Sequence, residues 1–318
     1  MDVNLRKIAI IGCGAVGAAS AFSLMESGLY SEIVMVDVNK DKAEGEAMDI
    51  LHGTSLITPM RIYAGSYEDI ADAAVVVITA GAAQKPGETR LDLIHKNIAI
   101  FNLILKEIRR VKPKGILLVV ANPVDILTYY TARMSGLPER RVFGSGTVLD
   151  TARLRTLIGS KLNVDSRSVH AFVIGEHGDS EIVTWSHANI SGVPLPDFYA
   201  LRGMNLDDLE KIEEEIGNDV RNSAYEIIRR KGATCYGIGV SVRRICSAIV
   251  KDEKSILPVS TVLHGTYAIE ECALSVPAIV GQEGVEGLVP VAMSETERIN
   301  LLKSAEILKQ NMADITYD

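Results

Sequence analysis

Cysteine is scarce in this chain of 318 residues, and its spacing excludes two kinds of stabilisation. The cysteines are Cys13, Cys235, Cys246 and Cys272, and none of them belongs to a CxxC pair. This pattern predicts neither a disulfide framework nor a cysteine-based zinc cluster. It fits a protein of the reducing cytoplasm.

The sequence also lacks a block of basic residues. Acidic side chains number 41 and basic ones 33, which gives a formal net charge of −8. A negative chain without a basic block is a poor match for nucleic acid or for an anionic membrane surface. We therefore expect neither as a partner.

Only one long uncharged run occurs, at residues 8–25. It resembles a signal peptide or a membrane span, but Gly12, Gly14 and Gly17 interrupt it and weaken any continuous apolar helix. We expect a soluble protein instead. Apolar residues make up 47% and charged residues 23%, which excludes wholesale disorder, and the length suggests about two domains.

The first half of the chain alternates short apolar runs with helical patterns. The predicted strands are 7–11, 32–37, 61–64, 74–79 and 116–121, and the predicted helices are 15–27, 40–51 and 89–111. Apolar strands without polar alternation are typical of a parallel sheet covered by helices on both faces. The alternation therefore predicts an α/β fold with a doubly wound parallel sheet.

After about Phe143 the rhythm changes. The predicted elements are helices at 149–158, 208–231 and 294–312, a strand at 169–174, and a hairpin of 259–264 and 267–277. We predict one domain over residues 1–145 and an α+β domain over residues 146–318, with a cleft between them.

A glycine motif, GCGAVG at residues 12–17, follows the first predicted strand and opens a helix. Gly12 permits a tight turn, Gly14 lets a pyrophosphate approach the backbone, and Gly17 allows close helix–strand packing. Asp37 ends the second strand about 20 residues later, where a carboxylate accepts hydrogen bonds from ribose hydroxyls. The pattern predicts a dinucleotide-binding (Rossmann) domain. Asp37 would repel a 2′-phosphate, which favours NAD over NADP.

A polar loop, GAAQKPGETR at residues 81–90, follows the strand at 74–79. Its two glycines and its proline fit a hinged lid over the ligand crevice, although an ordinary exposed turn has the same composition. Asn122 follows the next strand and is expected at the same edge of the sheet.

A third group of residues lies in the second half of the chain. Asp150 and Arg153 are three residues apart on one predicted helix, so their side chains are neighbours. His177 follows in the loop IGEHGD. Histidine is the natural proton carrier near neutral pH, and a carboxylate behind it favours the imidazolium. The spacing leaves open whether Asp150 meets His177, and a histidine between glycines is also typical of a plain loop.

These motifs together resemble a known family. GCGAVG, TAGAAQKPGETRLDL, VVANPVDILTY, GSGTVLDTARLR, IGEHGDSE and RKGAT occur in order along the chain. In sequence and order they resemble the lactate/malate dehydrogenase family, and its bacterial L-lactate dehydrogenase branch in particular. The last helix also fits, so the resemblance covers nearly the whole chain.

The resemblance implies reversible hydride transfer between NADH and pyruvate, giving (S)-lactate. His177 would exchange a proton with the substrate oxygen, and Asp150 would orient it and stabilise its charged form. Arg153 would bind the substrate carboxylate at two points, and Arg90 in the lid would polarise the carbonyl group. Further substrate contacts implied are Gln84, Asn122 and Thr234. The implied NAD contacts are Gly12, Gly14, Ala15, Val16, Gly17, Asp37, Thr79, Ala80, Gly81 and Asn122.

Gln84 bears on the choice of substrate. The malate branch of the family has an arginine at this lid position, where it pairs with the second carboxylate of oxaloacetate. A neutral Gln84 leaves such a buried charge uncompensated, a penalty of several kcal/mol. The sequence therefore favours pyruvate.

Arg155 and His170 match positions at which bacterial members of the family bind fructose 1,6-bisphosphate at a subunit interface. Cations that face each other across a two-fold axis repel until a doubly phosphorylated sugar neutralises them. The alternative is a solvated helix arginine and a strand-edge histidine. The resemblance also implies a homotetramer.

Other functions remain open at this point. Malate or other 2-hydroxy acid dehydrogenases belong to the same family, and Gln84 disfavours malate. NAD-dependent glycosidases share the fold but need a metal held by cysteine and histidine, and no cysteine lies beside His177 or Asn122 in sequence. His170, His177 and His187 lack a cysteine or carboxylate cluster that would complete a site, so we expect no metal. A non-catalytic NAD-binding protein would have no need of the complete charged set.

Overall fold

The structure is a computed structural model that describes residues 3–83, 87 and 89–317. Its strands are β1 (Asn4–Ile11), β2 (Glu32–Val36), β3 (Arg61–Ala64), β4 (Ala73–Ile78), β5 (Ile116–Val119), β6 (Val142–Gly144), β7 (Val169–His170), β8 (Val173–Ile174), β9 (Ile182–Val183), β10 (Asn189–Ile190), β11 (Val193–Pro194), β12 (Ser255–His264), β13 (Glu270–Gly281) and β14 (Gly284–Leu288). Its helices are α1 (Ala15–Ser27), α2 (Lys40–Gly53), α3 (Arg90–Val111), α4 (Val124–Met134), α5 (Val148–Leu162), α6 (Leu195–Leu201), α7 (Leu209–Lys231), α8 (Tyr236–Val250) and α9 (Glu295–Met312).

Within the described residues, the main sheet has nine strands in the order β14-β13-β12-β6-β5-β4-β1-β2-β3. The strands from β6 to β3 in this order run parallel to their neighbours. The hairpin β12–β13 and strand β14 extend the sheet antiparallel from β6. The predicted doubly wound parallel sheet is therefore confirmed. Because β12 pairs with β6, the sheet also includes strands from beyond residue 145. The division into two domains at residue 145 stays a prediction.

Each face of the sheet has its own hydrophobic core, because successive strand side chains point to opposite faces. On one face, Ile11 and Val76 pack in a core with buried residues of α3, α4 and α9. On the other face, Ile10 and Val75 pack in a core with residues of α1, α2 and α8. Helices thus cover both faces, as continuous apolar strands require. In the described part of the chain, no helix combines the length and apolar character needed to cross a membrane.

A third core lies in the second half of the chain, where α5, α6 and α7 pack against the short strands β7 to β10. The single strand predicted at 169–174 is wrong. The chain forms β7 and β8 in different sheets. The reason is a set of tertiary contacts, since the Val173 amide donates to the Thr151 hydroxyl at 2.9 Å and the Val173 carbonyl accepts from the Thr147 hydroxyl at 2.5 Å. Side chains of α5 and the residue before it thus take the place of a strand neighbour.

Candidate active site

Four predicted site residues lie at the carboxyl ends of adjacent parallel strands. Gly12 follows β1, Asp37 follows β2, Thr79 follows β4, and Asn122 lies beyond β5. Because β2, β1, β4 and β5 are parallel neighbours, these ends meet at one edge of the sheet. This edge is where open α/β sheets bind their ligands.

The glycine loop has the geometry that a pyrophosphate needs. Gly12 has a φ of +101°, and an added Cβ there would lie 2.4 Å from the Ala80 nitrogen. A Cβ on Gly17 would lie 1.9 Å from the Gly12 oxygen, so α1 packs closely on the loop. At Gly14 an added Cβ would meet no described atom within 4 Å. Gly14 is the N-cap residue of α1 and has no side chain to cap the helix, so the amino end of the helix is open to an anion.

Asp37 is fixed beside this loop. Its Oδ2 accepts from the Cys13 amide at 2.6 Å, and its Oδ1 accepts from the Asn39 amide at 2.9 Å. The remaining lone pairs of the carboxylate can accept from both hydroxyls of a ribose. The loop and Asp37 together fit a dinucleotide without a 2′-phosphate.

We expect Asp37→Ala to weaken the preference for NADH over NADPH by ~10–100-fold in kcat/KM, because it removes the carboxylate that repels a 2′-phosphate. Steady-state rates with each cofactor give the ratio. Asp41→Ala, which removes an exposed carboxylate of α2, is the matched control and should keep the wild-type ratio. Equal kcat/KM values for both cofactors in the wild type would contradict the assignment.

The segment that follows β4 is tied to the loop that follows β5. The Thr79 hydroxyl donates to the Gly12 carbonyl at 2.7 Å. Buried Asn97 of α3 accepts from the Ala82 amide at 2.7 Å and donates to the Asn122 carbonyl at 2.9 Å. An added Cβ on Gly81 would lie 3.2 Å from the Asn97 oxygen, so this segment also packs tightly. Sequence reasoning missed Asn97. Its one signal was an amide on the otherwise apolar face of a predicted helix.

The residues proposed for proton transfer lie together. The His177 Nδ1 is 2.6 Å from the Asp150 Oδ2, and the Arg153 guanidinium donates to the Asp150 Oδ1 at 2.7 Å. Asp150 is buried, while the His177 side chain is 23% exposed and so can be reached by a ligand. The contact between Asp150 and His177, which the sequence left open, is present.

The electrostatics of this group favour a charged imidazole. Burial alone would lower the pKa of His177, but the charge and hydrogen bond of Asp150 outweigh it and raise this pKa to about 9. Burial would raise the pKa of Asp150, and His177 and Arg153 together lower it. An ionised carboxylate behind a protonated imidazole is the arrangement that a general acid requires.

A second buried carboxylate positions the backbone of His177. Asp125, near the start of α4, accepts from the His177 amide at 2.7 Å and from the Ser260 hydroxyl at 2.6 Å. It thereby links the loop around His177 to β12 and to the helix that follows Asn122. In the sequence, the only indication of this role is that an aspartate lies in an otherwise apolar stretch.

Arg90 contacts the loop around His177 from the start of α3. It is the first residue of α3, after a Thr89 capping box, and its guanidinium forms an ion pair with Glu176. Glu176 is buried and accepts from the Ser180 hydroxyl, and its amide donates to the Ser304 hydroxyl at 2.9 Å. Arg90 therefore contacts Glu176, the residue that precedes His177 in the chain. Gln84 lies outside the described residues.

The other predicted residues lie elsewhere. Thr234 is in the loop between α7 and α8, and its place in a substrate pocket stays a prediction. The Arg155 side chain donates to the Ala171 carbonyl at 3.2 Å and lies 5.4 Å from the Phe172 ring centre. It is thus next to His170, which is exposed in β7.

Comparison with known proteins identifies the family. The model of the lactate/malate dehydrogenase NAD-binding domain matches residues 6–144, and that of the α/β C-terminal domain of the same family matches residues 147–317. L-lactate dehydrogenase 1 of Clostridium acetobutylicum is 49% identical over 97% of this chain and 98% of its own. An L-lactate dehydrogenase of Clostridium botulinum strain 657 is 51% identical over 97% of this chain and 96% of its own.

Solved structures of lactate dehydrogenases have the same fold as this chain. The ligand-bound crystal structure of the minor L-lactate dehydrogenase of Enterococcus mundtii has a TM-score of 0.94 and 42% identity, over 98% of this chain and 99% of that one. A lactate dehydrogenase from a Medee basin deep-sea metagenome, MGS-M5, has a TM-score of 0.92 and 44% identity, over 99% of each chain. The chain therefore belongs to the lactate/malate dehydrogenase family, with that family's NAD-binding domain followed by its α/β C-terminal domain.

Proposed function

We propose that this chain is an NAD-dependent L-lactate dehydrogenase, which reversibly reduces pyruvate to (S)-lactate. The observation that carries the proposal is the hydrogen-bonded series Arg153–Asp150–His177. It supports the proposal because an imidazole, which can carry a proton, and a guanidinium, which can bind a carboxylate, contact the same aspartate. The names of the relatives that match nearly full length support the same reaction.

In this proposal, one part of the chain binds the cofactor and the other supplies the residues for proton transfer and substrate binding. Residues 1–145 hold NAD along the glycine loop and Asp37, and residues 146–318 supply His177, Asp150 and Arg153. NADH, when bound, supplies the hydride. His177 in its charged form donates a hydrogen bond and then a proton to the carbonyl oxygen of pyruvate, and it takes the proton back from lactate.

The arginines bind and polarise the substrate. Arg153 uses one nitrogen for Asp150, and its planar fork leaves further N–H groups for a substrate carboxylate. Arg90, delivered by the lid, stabilises the negative charge that develops on the carbonyl oxygen. Closure of the lid excludes water, which strengthens both contacts.

The substrate is proposed to be a monocarboxylate because Gln84 carries no charge. The test follows NADH oxidation by the purified chain with pyruvate, oxaloacetate, a branched 2-oxo acid and no oxo acid. We expect the highest kcat/KM with pyruvate. Preference for oxaloacetate would favour a malate dehydrogenase, and NADH binding without turnover would favour a non-catalytic protein.

The four buried, free cysteines are consistent with a cytoplasmic setting for this reaction.

We also propose that fructose 1,6-bisphosphate activates the enzyme at Arg155 and His170. The two side chains lie on adjacent segments, because the Arg155 side chain donates to the carbonyl of Ala171. Burial lowers the pKa of Arg155, which indicates that its charge lacks full compensation. A phosphate group would supply that compensation.

Fructose 1,6-bisphosphate is expected to lower the KM for pyruvate by ~5–150-fold, the usual range for coupling between two sites. Arg155→Gln should abolish this effect, because it removes the cation that binds a phosphate. Pyruvate titrations with and without the effector measure it, and Arg229→Gln on α7 should respond like the wild type. A wild type whose KM ignores the effector would rule the site out.

We propose a homotetramer because the resemblance to the family implies one, and exposed apolar side chains on one side of the sheet support contact between subunits there. Phe22, Met48 and Leu56 lie on or just after α1 and α2, and Tyr236 and Val240 lie on α8. These helices pack together over one face of the sheet. Apolar patches of this kind are typical of subunit interfaces. Light scattering after size exclusion should give four times the chain mass of 34.4 kDa.

A further inference from the structure

One buried carboxyl beside His177 has no part in the mechanism above. Glu181 precedes β9 and is 6% exposed. Oxygen or nitrogen atoms of Glu181, Asp150 and His177 lie within 4.8 Å of one another. One Glu181 oxygen, Oε1, finds no hydrogen-bond partner in the described part of the chain. A buried carboxyl without a full set of partners is costly and calls for a function.

The position of this carboxyl suits proton chemistry better than metal binding. Asp150 already accepts from Arg153 with one oxygen and faces the His177 imidazole with the other. A guanidinium at this distance would repel a divalent cation. The guanidinium itself stabilises the ionised carboxylates. The cluster is therefore better suited to proton transfer than to binding a metal ion.

The charges around Glu181 and His177 come from three helices. Asp150 and Arg153 of α5 form an ion pair and offset each other. The positive charge of Arg221 in α7 acts on Glu181, and the negative charge of Asp125 in α4 acts on His177. These two charges also offset each other, so the net charge of the cluster depends on the protonation of Glu181 and His177.

Two protonation states keep the pair of Glu181 and His177 neutral. An ionised Glu181 balances a charged His177, and a protonated Glu181 accompanies a neutral His177. The other two combinations leave a net charge in a buried site, which is costly. Burial, followed by the charge of Asp150, raises the pKa of Glu181 to about 8, so both groups titrate in the same pH range.

We propose that Glu181 is a positioning residue that sets the protonation equilibrium of His177. The ionised carboxylate stabilises the imidazolium, and the protonated carboxyl accompanies the neutral imidazole that accepts a proton from lactate. This inference rests on the proposed function, since lactate oxidation is one of its two readouts.

The first test is the pH profile of kcat/KM for lactate oxidation with saturating NAD⁺. Its acid limb reports the loss of a proton from His177. Glu181→Gln keeps the shape of the side chain and removes its charge, so the imidazolium loses a neighbouring anion. We expect the limb to move about one pH unit lower, with up to about tenfold higher kcat/KM on the acid side.

Glu213→Gln is the matched control. Glu213 of α7 is another carboxyl whose pKa is raised, to about 7, by burial and by Glu297 and Glu210. It lines a small apolar cavity with Tyr199. Its replacement should leave the acid limb at the wild-type pH. A limb that stays in place in Glu181→Gln, or moves equally in Glu213→Gln, would overturn the proposal.

The second test does not depend on turnover. The imidazole of His177 is titrated by NMR in histidine-labelled protein, and its signal is assigned by its loss in His177→Asn. The pKa of His177 should be about one unit lower in Glu181→Gln than in the wild type. Glu181→Met, an apolar side chain of similar length, should give the same shift if the glutamine variant does not fold. An unchanged His177 titration refutes the inference, whereas a wild type inactive with lactate and NAD⁺ refutes only the proposed function.

Discussion

Replacing His177 with asparagine is expected to lower pyruvate reduction by ~10²–10⁴-fold, the usual contribution of a general acid. Asparagine keeps a hydrogen-bonding side chain of moderate size but cannot deliver a proton at neutral pH. NADH binding should be unaffected, because the glycine loop and Asp37 lie on other elements. Steady-state kinetics and a fluorescence titration with NADH measure the two quantities separately.

His264→Asn is the control for this prediction. His264 is 63% exposed and pairs with Glu139 at 2.6 Å, at the end of β12. Its replacement should leave kcat at the wild-type value. Near-normal turnover in His177→Asn would remove His177 from the mechanism, whatever its contact with Asp150.

Replacing Gln84 with arginine should change the preferred substrate. Pyruvate brings one carboxylate, which Arg153 neutralises, whereas oxaloacetate brings a second one with no cation assigned to it. The variant supplies that cation, and with pyruvate it leaves an unpaired buried arginine. We expect a shift of ~3–5 kcal/mol in relative preference, or roughly two to four orders of magnitude in the ratio of kcat/KM values.

Gln310→Arg, a change of the same kind on α9, should keep the wild-type ratio for the two substrates. If the wild type already prefers oxaloacetate, or if Gln84→Arg still fails to reduce it, Gln84 does not select the substrate. The assignment to lactate would then lose its main sequence argument.

The first half of the fold was predictable from sequence because its signals are strong and local. Continuous apolar runs predicted β1 to β5 within a few residues, and α1 begins and ends at the predicted Ala15 and Ser27. The later part was less predictable. The short strands β9 to β11 and strand β6 were missed, since each is only two or three residues long and depends on tertiary partners. Helices α4, α6 and α8 and strand β14 were not predicted either, and of these only α4 lies in the first half.

The candidate site divides along the same line. Residues in motifs, such as Gly12 and His177, carry a local signature of their chemistry. Asn97 and Asp125 do not, because their hydrogen bonds join residues 25 and 52 positions apart. Glu181 belongs with them, since only the fold shows that its carboxyl is buried beside Asp150.

The most direct test of the central claim follows the hydride itself. The purified chain is incubated with pyruvate and NADH that carries deuterium at both C4 positions, and the product is resolved by chiral chromatography and mass spectrometry. The proposed reaction predicts (S)-lactate with one deuterium at C2. Unlabelled lactate, (R)-lactate or no product would contradict it.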